Sequence, residues 1–333
     1  MRKHPDDSRD DGYDDGFDDG RARQRRGRRR FDDDEPHHLT RGRVPAASFE
    51  GPHPSGADAA SPAGLDTPPP GTEWSTWEGS LHGPDPRPDW VRTEAGAVDT
   101  ELGVVKTGKE ADVFLVRRHL PGTGEVSMLA AKRYRDGGHR MFHRDAGYLE
   151  GRRVRRSREM RAMTRRTAYG KELIAGQWAA AEFDALGRLW RIGAETGLVR
   201  VPYPVQLLGT ELMLEFIGDW QTGVAAPRLA QVRTDPAGYA DLWRQMVDAL
   251  STLARAQVAH GDLSPYNTLV CGGRLVLIDL PQIVDVIANP RGAEFLDRDV
   301  RTVAAWFAAR GVPPETIDVD GLAERLRAEA GLR

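Results

Sequence analysis

Residues 259–270 read A-H-G-D-L-S-P-Y-N-T-L-V. A loop that only reverses the chain needs Gly, Pro, Asn or Asp for its dihedrals. It does not need Asp262, then Asn267 five residues on, then an apolar run. Phosphoryl-transfer enzymes use that offset, with an Asp meeting the nucleophile and an Asn holding a metal ion. A turn residue explains either position alone, so the weight rests on the partners found elsewhere in the chain.

Composition bounds the search. The chain has 333 residues, a formal net charge of −3 and a single cysteine, Cys271. One or two domains with sizeable cores fit that length. A single cysteine excludes an intrachain disulfide framework and suits a reducing compartment. The first residues, M-R-K-H-P-D-D-S-R-D, lack the apolar stretch of a secretory signal. No run approaches the ~18 apolar residues of a membrane-spanning helix. The expectation is a soluble cytoplasmic protein without a membrane partner.

Residues 1–95 differ in character from the rest. D-D-G-Y-D-D-G-F-D-D-G-R (10–21) repeats a tetrad and runs into the basic stretch R-A-R-Q-R-R-G-R-R-R (21–30). Pro, Gly, Ser and Asp follow, as in T-P-P-P-G (67–71). Such a segment buries too little apolar surface to offset its ordering entropy, which predicts a disordered low-complexity tail over 1–95. The arginine run suits an RNA or ribosome arm, or equally a solvated tail whose charge blocks offset each other. Trp74, Trp77 and Trp90 are exceptions that could pin the end of the tail to a folded domain.

From about residue 98 the pattern is that of short strands followed by helices. A-D-V-F-L-V (111–116), M-L-A-A-K-R-Y (128–134) and L-M-L-E-F-I (212–217) read as strands. A helix is expected from Glu182 through Phe183, Leu186, Leu189 and Trp190, stopping at Thr196-Gly197. Tyr239, Leu242, Trp243, Met246 and Leu250 form the apolar face of a second helix. T-L-V (268–270) and R-L-V-L-I (274–278) form a strand pair about Gly272-Gly273. A last helix carries Phe295 to Phe307. Strands first and helices after give an α+β, bilobal plan, with an N-lobe over 96–217, a C-lobe over 218–312 and a helical extension over 313–333.

Four features fall in order along this plan. K-T-G-K-E-A-D-V-F (106–114) is a turn between strands in which small residues let backbone N–H groups approach a phosphate. A plain hairpin turn accounts for it as well. Lys132 sits in an apolar strand, where a cation facing inward needs a counter-charge or a ligand. Glu182, at the expected start of its helix, is the natural counter-charge. Asp262 and Asn267 come next, and Asp279 closes the apolar strand R-L-V-L-I-D, well placed to hold a hard cation.

These stretches resemble the RIO atypical protein kinases. The resemblance rests on T-G-K-E-A (107–111), A-A-K-R-Y (130–134), W-A-A-A-E-F (178–183), L-E-F-I-G (214–218), H-G-D-L-S-P-Y-N-T-L-V (260–270), I-D-L-P-Q-I-V-D (278–285) and N-P-R-G-A-E-F-L-D-R-D-V (289–300). D-F-G and A-P-E, which ordinary protein kinases carry in the last two places, are absent. T-G-K-E-A is similar to the first RIO subfamily, in a bacterial-type form, and no winged-helix domain is evident ahead of it. The resemblance implies a kinase-like fold and ATP- and Mg²⁺-dependent Ser/Thr phosphorylation, including autophosphorylation, with Mn²⁺ an alternative cation. It implies a phosphate loop of Thr107, Gly108, Lys109, Glu110 and Ala111. Lys132, oriented by Glu182, would hold the α/β-phosphates, and the backbone of Glu215 and Ile217 would hold adenine. Asp262 would be the catalytic Asp, with Asn267 and Asp279 on the metal. In this family the counterpart of Asp279 can also accept phosphate.

Pro265, Pro281 and Asn289 depart from the family pattern, though none removes a group expected to touch ATP. The Arg-rich stretch 151–167 matches a basic segment of the family; it suits a ribosomal or RNA partner, or a solvated insertion. Ser157, Thr164 and Thr167 within it are candidate self-phosphorylation sites. Two other functions fit the same residues: an ATPase switch in ribosome assembly, and a small-molecule phosphotransferase of the aminoglycoside-kinase kind. The second would need an acceptor pocket in helices after Asp279, where only G-L-A-E-R-L-R-A-E-A (321–330) follows the last family helix.

Overall fold

The computed structural model describes residues 67–135 and 168–332, with side chains in the second stretch from Leu173 onward. The arginine-rich segments 21–30 and 151–167, with Ser157, Thr164 and Thr167, lie outside the described residues. A seven-stranded antiparallel sheet forms the N-lobe, in the order β1-β3-β4-β5-β7-β6-β2. Its long members are β3 (Val98–Thr107), β4 (Ala111–His119) and β5 (Val126–Tyr134). β6 (Pro204–Leu208) and β7 (Glu211–Glu215) complete its centre, and β1 (Glu73–Trp74) and β2 (Leu81–His82) are its edges. The strands expected from the apolar runs are all present.

Helix α1 spans Ala168–Thr196 and packs against β5 and β6. It stops where expected, with Gly197 at φ +68° donating its N–H to Gly193 O (2.8 Å). A Cβ at Gly193 would lie 2.3 Å from Val199 O, so the chain can fold back there only past a glycine. Glu182 is not at the start of this helix, as the apolar spacing suggested; it lies fourteen residues in. The helix reaches back into a stretch with little apolar periodicity, and the periodic face marks only its packed C-terminal half.

Beyond the short pair β8 (Gly218–Asp219) and β9 (Val224–Ala225), the C-lobe begins with α2 (Pro236–Arg255). Asp235 caps it by accepting from Gly238 N–H (2.7 Å), and Pro236 occupies the first turn, where no N–H partner is needed. β10 (Val258–Ala259) and β13 (Val284–Asp285) pair at the base of the 260–267 loop. β11 (Thr268–Cys271) and β12 (Arg274–Leu277) form a hairpin. Its turn places Gly272 and Gly273 at φ +58° and +73°, the left-handed pair a two-residue hairpin demands. α3 (Gly292–Ala308) and α4 (Val319–Glu329) close the lobe. Leu322 and Leu326 of α4 are buried against α2 and α3, so the 313–333 extension belongs to the C-lobe core. One apolar cluster runs from β5 and α1 through α2 to α3 and α4, holding the two lobes together.

The 1–95 tail assignment needs correction at its end. Residues 67–97 form a strap across the sheet. Trp74 pairs in register with Val98, and His82 with Gln206. Trp77 stacks on His82 at 3.8 Å, and Trp90 meets Tyr203 and Trp220 edge-on. Tyr203 donates its hydroxyl to Pro84 O (2.9 Å). The composition is that of a tail, but three partly buried tryptophans and the buried Val91 give this stretch apolar contacts with the sheet.

Arg118 anchors this arrangement. It is fully buried and donates to both Asp99 oxygens (2.7 and 2.8 Å) and to Gln206 Oε1 (2.8 Å), while Gln206 Nε2 donates to Thr76. β3, β4, β6 and the strap therefore share one satisfied network. Removing one side of a buried pair strands the other charge, at a cost of about 3–5 kcal/mol. Arg118→Ala is expected to lower the urea-unfolding free energy by about that amount, and a loss under about 1 kcal/mol would show that the network carries no stability.

Candidate active site

Lys132 lies on β5, paired with Val113 of β4 and Leu212 of β7, and points into the cleft between the lobes. Its Nζ is 2.8 Å from Glu182 Oε1, 2.7 Å from Glu182 Oε2 and 2.7 Å from Asp279 Oδ1. The expected strand-to-helix ion pair is thus formed and gains a third member. Burial works against the Lys132 ammonium, but Asp279 and Glu182 outweigh it and hold its pKa well above the usual lysine value. Burial likewise opposes the Asp279 carboxylate, and Lys132 overcomes it, bringing its pKa down to about 2.

Glu182 is 1% exposed, yet its carboxylate is well satisfied. Besides Lys132, Oε1 accepts the backbone N–H of Leu280 (3.1 Å), and Oε2 accepts a hydrogen bond from the Tyr134 hydroxyl. Tyr134 sits two residues from Lys132 on the same strand and so on the same face. Burial first, then Glu182, push its hydroxyl well above the ordinary phenol range, so it remains a donor.

Asp262 and Asn267 form the opposite wall. Asn267 is buried and donates its Nδ2 to Asp262 O (2.9 Å) and Asp262 Oδ2 (3.3 Å), which leaves its Oδ1 as an acceptor. Burial raises the Asp262 pKa. Asp299 of α3 holds the loop from behind: its carboxylate accepts the N–H of Gly261 (2.9 Å) and of Leu263 (3.1 Å), on either side of Asp262. His260 is buried, with Nε2 3.1 Å from Ile278 O, which ties the loop to the strand leading to Asp279. Asp279 itself adopts φ +67°, a conformation unusual outside glycine. Its side chain is 38% exposed, toward the cleft.

Thr107–Ala111 forms the turn from β3 to β4. Gly108 N–H donates to Ala111 O (3.0 Å), and a Cβ at Gly108 would meet that oxygen at 2.7 Å, so the tight turn requires glycine. Thr107 and Lys109 are exposed, and Arg135 N–H holds Glu110 O (2.9 Å). On the other rim, Glu215 exchanges backbone and side-chain bonds with Tyr203: Glu215 N–H to Tyr203 O (2.9 Å), and Tyr203 N–H to Glu215 Oε2 (3.1 Å). Ile217 follows, its carbonyl accepting from Ala226 N–H (2.9 Å).

Of the residues singled out by sequence, Lys132, Glu182 and Asp279 meet directly, and Asp262 and Asn267 form one bonded pair. Tyr134, Asp299 and His260 were not assigned roles from sequence. Tyr134 could have been found from its two-residue offset to Lys132, and Asp299 from an acid on the apolar face of the last helix. Of the departures, Pro265 accepts Ala230 N–H through its carbonyl (3.0 Å), and Asn289 is buried with its side chain accepting Arg291 N–H (2.8 Å). Asn289 serves its local turn, whereas Pro265 ties its loop to the distant backbone at Ala230.

A β-rich lobe bearing a lysine, a helix bearing its glutamate and a helical lobe bearing Asp-x4-Asn and a strand-end Asp together define a kinase-like fold. Residues 126–321 match the RIO domain, more than half of the chain, and the chain belongs to the RIO family. It is 33% identical over 237 residues to the RIO-type serine/threonine-protein kinase Rio1 of Haloferax volcanii, covering 71% of this chain and 72% of that one. It is 29% identical to the serine/threonine-protein kinases RIO3 of Mus musculus, over 66% of this chain, and RIO1 of Chaetomium thermophilum, over 63%. The matched region spans 40% of the length of each of these two.

Asp299 offers a test of how the loop is held. Asp299→Ala leaves two buried N–H groups unpaired, each costing about 1–3 kcal/mol. Faster amide hydrogen exchange at Gly261 and Leu263 is the expected result. Unchanged exchange at both would place the loop's support elsewhere.

Proposed function

We propose that this chain is an ATP-dependent serine/threonine protein kinase that also phosphorylates itself. The observation that carries the reading is the Lys132–Glu182 pair meeting Asp279 within hydrogen-bond distance, in one cleft with the Asp262–Asn267 loop. Lys132 would bind the α/β-phosphates, and the Thr107–Ala111 turn would cover the outer phosphates. Adenine would lie on the backbone of Glu215 and Ile217. Asp262 would orient the acceptor hydroxyl and take its proton. Catalysis on this plan is positioning and charge neutralisation.

The donor set fits Mg²⁺, with Mn²⁺ as a substitute. Asp279 presents a carboxylate to the cleft and Asn267 a free Oδ1, and Mg²⁺ sites commonly use one or two protein oxygens with phosphate and water. No group of three or more His, Cys, Asp or Glu side chains suited to a metal occurs among the described residues. When bound, the cation would neutralise phosphate charge. The low pKa of Asp279 keeps its carboxylate ionised for that task.

The acceptor is a protein hydroxyl, with Ser157, Thr164 and Thr167 as candidates on this chain. Association with RNA or a ribosome would rest on the charge of segments 21–30 and 151–167 alone. No described helix is long and apolar enough to cross a membrane.

Incubation with γ-labelled ATP and Mg²⁺, beside Asp262→Ala and Asp279→Ala, tests the reading. Acid-stable label on protein that disappears in both variants is expected. Free phosphate, with an acid-labile adduct lost only in Asp279→Ala, would replace the kinase by an ATPase switch.

The pH profile gives a second check. Because burial raises the Asp262 pKa, its active, ionised form is lost on acidification at a higher pH than for an ordinary aspartate of 3.8. Asp279, near 2, adds nothing in that range. The acid limb of kcat/KM is expected above 3.8; a limb at or below that value would exclude Asp262 as the titrating base.

A further inference from the structure

Glu182 is set more firmly than its pairing with Lys132 requires. A nucleotide drawing on Lys132 would take part of that ammonium's charge from Glu182, and a cation drawing on Asp279 would remove the second carboxylate now bonded to Lys132. A carboxylate 1% exposed does not tolerate the loss of its only donor. Glu182 does not depend on one donor. The Tyr134 hydroxyl holds Oε2 and Leu280 N–H holds Oε1, and neither group is expected to contact nucleotide. Tyr134 also places its ring under the ammonium, with Nζ 5.1 Å from the ring centroid, a second restraint on where the lysine can stand.

We propose that Tyr134 is a positioning residue for nucleotide binding: it fixes Glu182 from the strand that carries Lys132, so that the ammonium is aimed while its charge is shared with phosphate. A tyrosine suits this place because it donates a hydrogen bond without adding charge. A second lysine would repel Lys132, and a carboxylate would repel Glu182. The bond also joins β5 to the middle of α1. The inference rests on the proposed kinase reading for its site but not for its test, which needs only nucleotide binding.

The experiment is a double-mutant cycle in affinity for a fluorescent ATP analogue with Mg²⁺, using Tyr134→Phe and Glu182→Gln on the full chain, with ATP turnover measured in parallel. Tyr134→Phe keeps the ring and removes the hydroxyl. Its expected effect is an affinity loss of about tenfold, carried into the KM for ATP more than into kcat, and close to no further loss in the Glu182→Gln background. Equal losses in both backgrounds, or none in either, would overturn the proposal. Should Tyr134→Phe alone melt too early to assay, the Glu182→Gln and double variants are compared directly. Equal affinities of those two, both below wild type, support the proposal; a weaker double variant, or a Glu182→Gln variant that binds as well as wild type, refutes it. Wild-type protein that binds the analogue but labels no protein would remove the kinase reading and leave this cycle interpretable.

Discussion

The buried carboxylate of Glu182 is the constraint on which the cleft depends. An ionised carboxylate removed from water is costly by several kcal/mol unless its partners are close and its lone pairs filled. Here they are filled from three directions: a strand side chain pair, Lys132 and Tyr134, and the backbone of Leu280 just past Asp279. Two of the donors come from β5 and the third from the backbone that follows Asp279. Satisfying one group therefore sets the distance between sheet and helix and the position of the strand end that carries Asp279. β5 tolerates two inward polar side chains because helix α1 answers both with a single acid.

The loop that carries Asp262 is fixed by the same logic with the sign reversed. Around Asp262, backbone N–H groups are the donors and Asp299 is the buried acceptor. Burial pushes the pKa of Asp299 up, and the two N–H groups partly offset that. His260 links this loop to the carbonyl of Ile278, one residue before Asp279. Asp262 and Asp279 are thus tied through the bond of the His260 side chain to the Ile278 carbonyl. Pairing of β10 with β13 beneath the loop completes the frame.

Much of this was legible in the sequence because the signals were local. The strands carrying Lys132 and Asp279 announced themselves as apolar runs ended by a charge. Gly272-Gly273 and Gly197 marked their turns by a demand for positive φ, which the structure bears out. Less legible were features set by partners far along the chain. Tyr134 reads as one more apolar strand residue until helix α1 brings Glu182 against it, 48 positions away. The length of α1 was hidden because only its second half shows an apolar stripe, and Glu182 consequently read as a first-turn residue. Asp299 was visible as part of a family stretch, but its task depends on the loop folding back 36 to 38 positions.

The strap shows where composition misleads most. Pro- and Gly-rich sequence argues against order only when nothing large is available to bury, and residues 67–97 carry Trp74, Trp77 and Trp90. The region that matches the RIO domain starts at Val126, the first residue of β5. A boundary drawn there would cut through the middle of the sheet, removing β3, β4 and the Thr107–Ala111 turn. A boundary at 95 would keep those strands but strip β1 and β2 from the sheet edges and Trp90 from the rings of Tyr203 and Trp220. Tyr203 is bonded to Glu215 through both backbone and side chain, so the loss would reach the rim of the cleft itself. The physical domain is therefore longer than either the family match or the composition suggests, and its N-terminal limit among the described residues is the strap.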